Sequence, residues 1–370
     1  MNHGGNIYQF ARHLGCLPEQ VLDFSSNINP EQAVDWHRLQ PLSLGLYADP
    51  DYSVLKQAIS HRYKMPTNAD IEVFNGASAA IFALLRWILP QDVVLYSPLY
   101  GEYAHIAGEM GCQVHNIDRF KPLTTEIPKA STVIFVNPST PDGQLYDMQE
   151  RLAAWQAAEC HIIVDESFLD FCVADSVAEQ LASYNKLYII KSLSKFYGCA
   201  GIRVGFIIAA AQAIKELKRY EPAWKLSSFY MIYMQQALAN NDFVEKTREQ
   251  TASLRNLLQL ALQSSGLFER IYSGQANFLL AKLANQGDGY HLQALLEPSR
   301  ILIRVCDNFE GLDKRYVRFA VKNTQAINVL ADSLNVLSPV VKLRASWEDK
   351  LLAERSRSRQ NRFDSAQRTV

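Results

Sequence analysis

Lys195 is preceded by two small hydroxyls, Ser192 and Ser194, and followed eight residues later by Arg203. A lysine amine can condense with a carbonyl to form an imine. Hydroxyls and a guanidinium can hold a phosphate. Pyridoxal 5'-phosphate needs both at one place, because its aldehyde takes the lysine and its phosphate must be anchored. A β-branched run through Ile189-Ile190 leads into the segment, and a second strand-like run, Val204 to Ala209, leads out. An ordinary exposed lysine among loop serines would look the same locally, so the rest of the chain must supply the other groups.

The cofactor makes three further demands. Its pyridine nitrogen needs a carboxylate, because the electron sink depends on a protonated ring. Its phenolic O3' should be hydrogen-bonded. Its phosphate favours backbone N–H groups at a helix start. Asp165, in Val164-Asp165-Glu166, suits the ring nitrogen, although an Asp there also suits a helix cap or turn. Asn137, before Pro138, suits O3' or a simple turn. Gly76-Ala77-Ser78 opens an apolar helix and suits the phosphate, with plain capping by Ser78 as the alternative. Tyr100 can stack on the ring or pack in the core.

These residues need a scaffold that brings them to one edge. Short β-branched runs alternate with helical stretches from Glu72 to Ala209. Strands are expected at Glu72–Phe74, Val93–Tyr96, Val133–Val136, His161–Val164 and Lys186–Ile190, with helices at Tyr52–Tyr63, Ala79–Leu89, Tyr103–Met110 and Asp147–Ala158. That alternation predicts an α/β fold, a mostly parallel sheet flanked by helices. Ser78, Tyr100, Asn137, Asp165, Ser192, Ser194 and Lys195 each follow a strand, which is where open α/β sheets bind ligands.

A long amphipathic helix from Phe243 to about Ser265 then leads to strands at Asn277–Ala281, Ile301–Arg304 and Tyr316–Ala320 and a helix from Thr324 to Leu337. This predicts a smaller α+β domain. The expected organisation is an arm over 1–45 that joins the small domain, a large cofactor-binding domain over 46–240, the small domain over 241–340, and a tail over 341–370. The arm shows little periodicity. The tail holds eight Lys/Arg against four Asp/Glu.

Composition narrows the class. A formal charge of -1 over 370 residues argues against nucleic acid or an anionic membrane as a partner. Six cysteines without a C-x-x-C pair read as reduced thiols of a cytoplasmic protein. Eight histidines without an H-x-x-x-H pattern give no metal site. No run approaches the length of a membrane span.

Taken together, Tyr47-Ala48-Asp49-Pro50, Asn75 to Ser78, Ser97-Pro98-Leu99-Tyr100, Asn137-Pro138 with Gly143, Val164-Asp165-Glu166 and Ser192 to Lys195 with Arg203 resemble the fold-type I pyridoxal-phosphate enzymes of the aspartate aminotransferase superfamily. The resemblance covers roughly residues 1–340. It implies that Tyr47 reaches the cofactor phosphate of a neighbouring subunit, so a homodimer is the expected working unit.

Within the superfamily the chain is similar to histidinol-phosphate aminotransferases and, more closely, to L-threonine-O-3-phosphate decarboxylases of cobalamin biosynthesis. The finer match rests on His3-Gly4-Gly5-Asn6, Asp23 to Pro30, Ile301 to Arg304 with Cys306, and Tyr316 to Lys322. It implies an arm closing over the site, with His3, Gly5, Asn6 and Asn27 near the substrate. It also implies that Arg318 meets a substrate carboxylate and that Arg304 is a second anion anchor. Phe168 departs from the aminotransferase pattern, which carries a tyrosine bonding O3' three residues after the aspartate. Pro141-Asp142 departs from the usual Pro-Thr before Gly143. The expected substrate is a small phosphorylated amino acid. The expected reaction is decarboxylation of threonine phosphate, or of serine phosphate. Transamination and non-catalytic cofactor binding are the alternatives.

Overall fold

The computed structural model describes residues 4–39, 45–123 and 126–337. His3 and the basic segment 341–370 lie outside the described residues. Residues 7–14, expected to lack periodicity, form a helix, Ile7–Leu14. Asn6 caps its start, Gly15 ends it at φ 64, and Phe10 and Ala11 are its buried face. Two turns are too few to stand out as a period in the sequence. The local caps and the packing of Phe10 make the helix. The arm continues into β1, Leu22–Asp23.

Seven strands build the large sheet: β2 (Ala69–Asn75), β3 (Asp92–Ser97), β4 (Gln113–Asp118), β5 (Thr132–Val136), β6 (His161–Asp165), β7 (Leu187–Ser192) and β8 (Val204–Ala210). Their order is β2-β8-β7-β6-β5-β3-β4. The β8 strand runs antiparallel to both neighbours, and the other pairings are parallel. Each residue of β5 and β7 is buried, as expected of central strands covered on both faces. Leu84, Leu85, Ile106 and Ile163 belong to one apolar layer, and Trp155, Val164, Phe206 and Met234 to the other.

A second sheet of four antiparallel strands is ordered β12-β13-β10-β9, with β9 at Phe268–Ile271, β10 at Phe278–Leu283, β12 at Arg304–Val305 and β13 at Tyr316–Ala320. The single strand expected over Ile301–Arg304 is two. Its first half, β11 (Ile301–Leu302), pairs in parallel with β1, and its second half joins β13. The break lets the chain serve two sheets and ties the arm to the small domain, where Phe24 is fully buried. Helix Asn241–Ser265 links the layers, with Val244 in the large core and Leu258 and Leu262 in the small one.

The turn from β2 into helix Ala77–Ile88 passes through Gly76 at φ 85, a conformation that favours glycine. Opposite it, Gly205 in β8 has no room for a side chain. A Cβ there would lie 2.7 Å from the Gly76 carbonyl carbon and 2.8 Å from Ala77 Cα. Gly205→Ala is therefore expected to cost about 1–3 kcal/mol of unfolding free energy in urea titrations. An unchanged midpoint would show that the strand and the helix start can part freely.

Candidate active site

The ends of β6 and β7 and the turn after β2 meet at one edge of the large sheet. Asp165 ends β6 and is 4 % exposed. One carboxylate oxygen accepts the Tyr103 hydroxyl at 3.0 Å, and the other accepts the Ser167 N–H at 2.9 Å. Burial, and then the Asp165 charge, hold the Tyr103 phenol well above its ordinary pKa, so it stays a donor.

Lys195 lies on the short helix Leu193–Phe196 after β7. Burial pulls its ammonium down to about 8, with Arg318 and Arg203 adding repulsion against the pull of Asp165. The arm holds this helix in place. Asn29 N–H donates to Lys195 O at 3.0 Å, and the Asn29 amide donates to Phe196 O at 2.9 Å.

Ser192 and Ser194 are buried on either side of Leu193, and Ser194 Oγ has no hydrogen-bond partner among the described residues. Arg203, at φ 51, lies against Gly76 so closely that a Cβ there would overlap its guanidinium. Its Nη1 donates to Ala200 O at 3.4 Å. Ser78 Oγ and Tyr100 Oη are 3.2 Å apart across the mouth of this turn. An unpartnered buried hydroxyl, a glycine cradle, a guanidinium and a helix start are the donor set a phosphate group requires.

Asn137 has a more committed role than expected. Its Nδ2 donates to Tyr146 O and its Oδ1 accepts from Tyr146 N–H, both at 2.9 Å. One Nδ2 proton is left to donate to a bound group. Tyr47 is exposed and stacks on Trp224 at 4.7 Å. Asn6 uses its amide to cap helix Ile7–Leu14 and is itself exposed.

The small domain contributes a cluster of cations. Arg304 and Arg318 are direct partners across the β12–β13 pair, so both guanidinium groups leave the same face. Arg318 donates to Thr140 Oγ1 at 2.6 Å and to Ser25 O at 2.7 Å, and its Nε has no partner among the described residues. Burial draws it down to about 10, still a cation at neutral pH. Arg304 donates to Val305 O at 2.7 Å and to Asn308 Oδ1 at 2.5 Å. Lys322 donates to Ser26 O at 3.1 Å, and burial lowers its pKa.

The arm rests on the same spot. Gly5 N–H donates to Ser25 Oγ at 2.7 Å, and a Cβ on Gly4 would lie 2.6 Å from Ser25 O. Gly4, Gly5, Ser25 and Arg304 line one cavity of about 320 Å³. Asn27 is buried, and its Oδ1 has no partner among the described residues.

A family model for aminotransferase class I and II matches residues 5–334. The chain belongs to that family. Its cofactor is pyridoxal 5'-phosphate, and the donor set described above fits it. A threonine-phosphate decarboxylase of Salmonella typhimurium is 30 % identical over 363 residues, covering 91 % of this chain and 97 % of that protein. An adenosylcobalamin biosynthesis bifunctional protein of Leptospira interrogans is 27 % identical over 90 % of this chain, which spans only 40 % of that protein's length.

Among solved structures, the histidinol-phosphate aminotransferase of Clostridium acetobutylicum gives a TM-score of 0.76 at 26 % identity, covering 85 % of this chain and 98 % of that one. That of Sinorhizobium meliloti, in complex with pyridoxal-5'-phosphate, gives 0.78 at 18 % identity, covering 91 % and 95 %, and shares the fold. Among the described residues, no helix is long and apolar enough to cross a membrane.

Sequence reading missed Tyr103, Thr140, Ser25, Asn29 and Lys322 as site residues. Tyr103 stands one helical turn after Tyr100, a spacing that could have flagged it. Thr140, Ser25, Asn29 and Lys322 lie inside stretches already singled out, but only the fold shows what each one faces.

Two outcomes follow. Lys195→Met should lose the visible band of the lysine–cofactor imine, and an unchanged visible spectrum would remove Lys195 from that bond. Between pH 8 and 10.5 the unfolded chain holds a proton at Lys195 that the cofactor-free folded chain does not, so stability rises with pH through that window. The cofactor-free methionine variant should therefore be more stable than wild type at pH 7, by at most about 3 kcal/mol. The gap should close as pH approaches 10.5. A pH-independent gap in paired urea titrations would place the lysine pKa elsewhere.

Proposed function

We propose that this enzyme decarboxylates L-threonine O-3-phosphate to (R)-1-amino-2-propanol O-2-phosphate, with L-serine O-phosphate as a close second substrate. The observation that carries the reading is the in-register pair Arg304 and Arg318, with Lys322 beside them. One α-carboxylate needs one guanidinium. A second buried guanidinium and an ammonium suit a substrate that also carries a phosphate. The relative named threonine-phosphate decarboxylase, matched along nearly its whole length, supports the same reading.

When bound, the cofactor supplies an electron sink for the bond broken at Cα. The residues of the chain do the rest. Asp165, held by Tyr103 and the Ser167 N–H, would place its carboxylate where the ring nitrogen requires one. Ser194, Arg203 and the Gly76 turn anchor the phosphate of the cofactor. Arg318 holds the substrate carboxylate, and Thr140 fixes the position of Arg318. Arg304 and the arm hold the substrate phosphate, which sets the rotation about Cα and so selects the bond that breaks. Lys195 would carry the cofactor and, once freed by the substrate amine, would handle the proton at Cα. Tyr47 completes the site of a second copy, which makes the working unit a homodimer in the cytoplasm.

The competing reading is transamination of the histidinol-phosphate type, favoured by the structural likeness to such enzymes. Product analysis separates the two. Purified protein with L-threonine O-phosphate should release CO₂ without any 2-oxo acid present. Formation of a keto acid dependent on 2-oxoglutarate would overturn the decarboxylase reading.

Charge-assisted hydrogen bonds contribute roughly 1.5–3 kcal/mol each. Arg304→Gln should therefore lower kcat/KM for the phosphorylated substrate by about one to two orders of magnitude. Turnover of free L-threonine should stay near its low wild-type value. An equal loss on both substrates would mean that Arg304 does not read the phosphate.

A further inference from the structure

The Lys195 nitrogen rests on an aromatic face. Its Nζ lies 4.0 Å from the centroid of the Phe168 ring. That ring is 2 % exposed and packs against Phe278, edge to face at 5.0 Å and 80°. Phe278 in turn carries the Arg318 guanidinium at 5.3 Å. The backbone of Phe168 is pinned as well, since Phe171 N–H donates to Phe168 O at 3.2 Å.

A phenyl face carries partial negative charge and stabilises a cation placed over it, while a neutral amine gains little. The charged groups acting on Lys195 are Asp165, Arg318 and Arg203. The two guanidinium groups repel an ammonium. Asp165 attracts it but is already engaged by Tyr103 and Ser167. Phe168 therefore adds an attraction for the charged form that uses no carboxylate.

We propose that Phe168 is a positioning residue that parks the released Lys195 amine as an ammonium on its ring face, and so directs it to give a proton to the substrate carbon rather than to take one. The consequence for the reaction rests on the decarboxylase reading, but the contact itself does not.

In decarboxylation the Cα–carboxylate bond breaks and CO₂ leaves. The bound cofactor would supply the sink for that electron pair, and the Lys195 ammonium would then give its proton to Cα to form the C–H bond. Lys195 is left neutral, the form that can displace the product amine from the cofactor. In transamination Lys195 must instead start neutral and accept the Cα proton. A site that favours the ammonium suits the first course.

The test uses the cofactor-loaded wild type together with Phe168→Leu and Phe168→Met, which keep an apolar side chain and remove the π face. The first readout is the pH midpoint of the visible band, which titrates at the Lys195 nitrogen and needs no substrate. A cation–π contact of ordinary strength corresponds to about half a unit to one and a half units. The midpoint should fall by that amount in both variants. The second readout is partition during turnover of L-threonine O-phosphate. The variants should yield a severalfold larger fraction of keto product, with matching loss of the visible band.

A midpoint that is unchanged or raised in both variants overturns the role of Phe168 whatever the substrate. A lowered midpoint with unchanged partition overturns the claim about proton direction. If wild type itself makes keto acid instead of CO₂ while the midpoint shifts as expected, the decarboxylase reading falls and the contact between Phe168 and Lys195 stands.

Discussion

The site depends on holding cations close together without neutralising them. Lys195, Arg203, Arg304, Arg318 and Lys322 stand in one region of the fold, where like charges in a partly dry space repel; under the proposed function they would receive two phosphates and a carboxylate. Pairing each one with a carboxylate would relieve the strain and spoil the site. The fold uses main-chain carbonyls and aromatic faces instead. Arg203 meets Ala200 O, Arg304 meets Val305 O and the Phe309 ring, Arg318 meets Ser25 O and Phe278, Lys322 meets Ser26 O, and Lys195 meets Phe168. These partners orient each cation and leave its net charge available to an anion. Two carboxylates still act on the cluster, Asp165 on Lys195 and Asp23 on Arg318 and Lys322.

That solution requires the two sheets to act as one frame. The carbonyls of Ser25 and Ser26 belong to the arm, and the side chains they hold belong to β13 and the turn after it. The arm is tied to the lysine helix through Asn29 and to the small domain through β1. A further tie comes from the loop after β5. Thr140 receives Arg318, and Gly143 O accepts Gln275 N–H at 2.7 Å.

Beneath this loop Asp142 faces Arg119 at 3.8 Å with both side chains buried. Burial lifts the Asp142 carboxyl to about 6 against the pull of Arg119. Arg119 donates to Tyr96 O at 3.0 Å and to Val136 O at 3.4 Å, which fills the gap where β3 and β5 diverge. A sheet of this kind offers a ligand crevice at such a gap. The candidate site opens beside it, where Tyr100 follows β3, Asn137 follows β5, and Asp165 and Lys195 stand at the ends of β6 and β7.

The sequence by itself determined whatever depends on near neighbours along the chain. Strands buried on both faces read as apolar β-branched runs, so β5, β6 and β7 were legible together with the polar residues at their ends. Gly76 and the serines around Lys195 were legible because a tight turn and a phosphate cradle need those residue types within a few positions. The two-turn helix Ile7–Leu14 and the split of Ile301–Arg304 into β11 and β12 were not, because elements that short are made by their partners. The tertiary structure alone decided which groups face one another. Strand register set Arg304 beside Arg318, and the docking of the arm set Ser25 under both Gly5 and Arg318. The Tyr146 backbone claimed the Asn137 amide, and the packing of Phe278 turned the Phe168 ring toward Lys195. In each case the partners are distant in sequence, and no local pattern encodes a contact that exists only once the chain has closed.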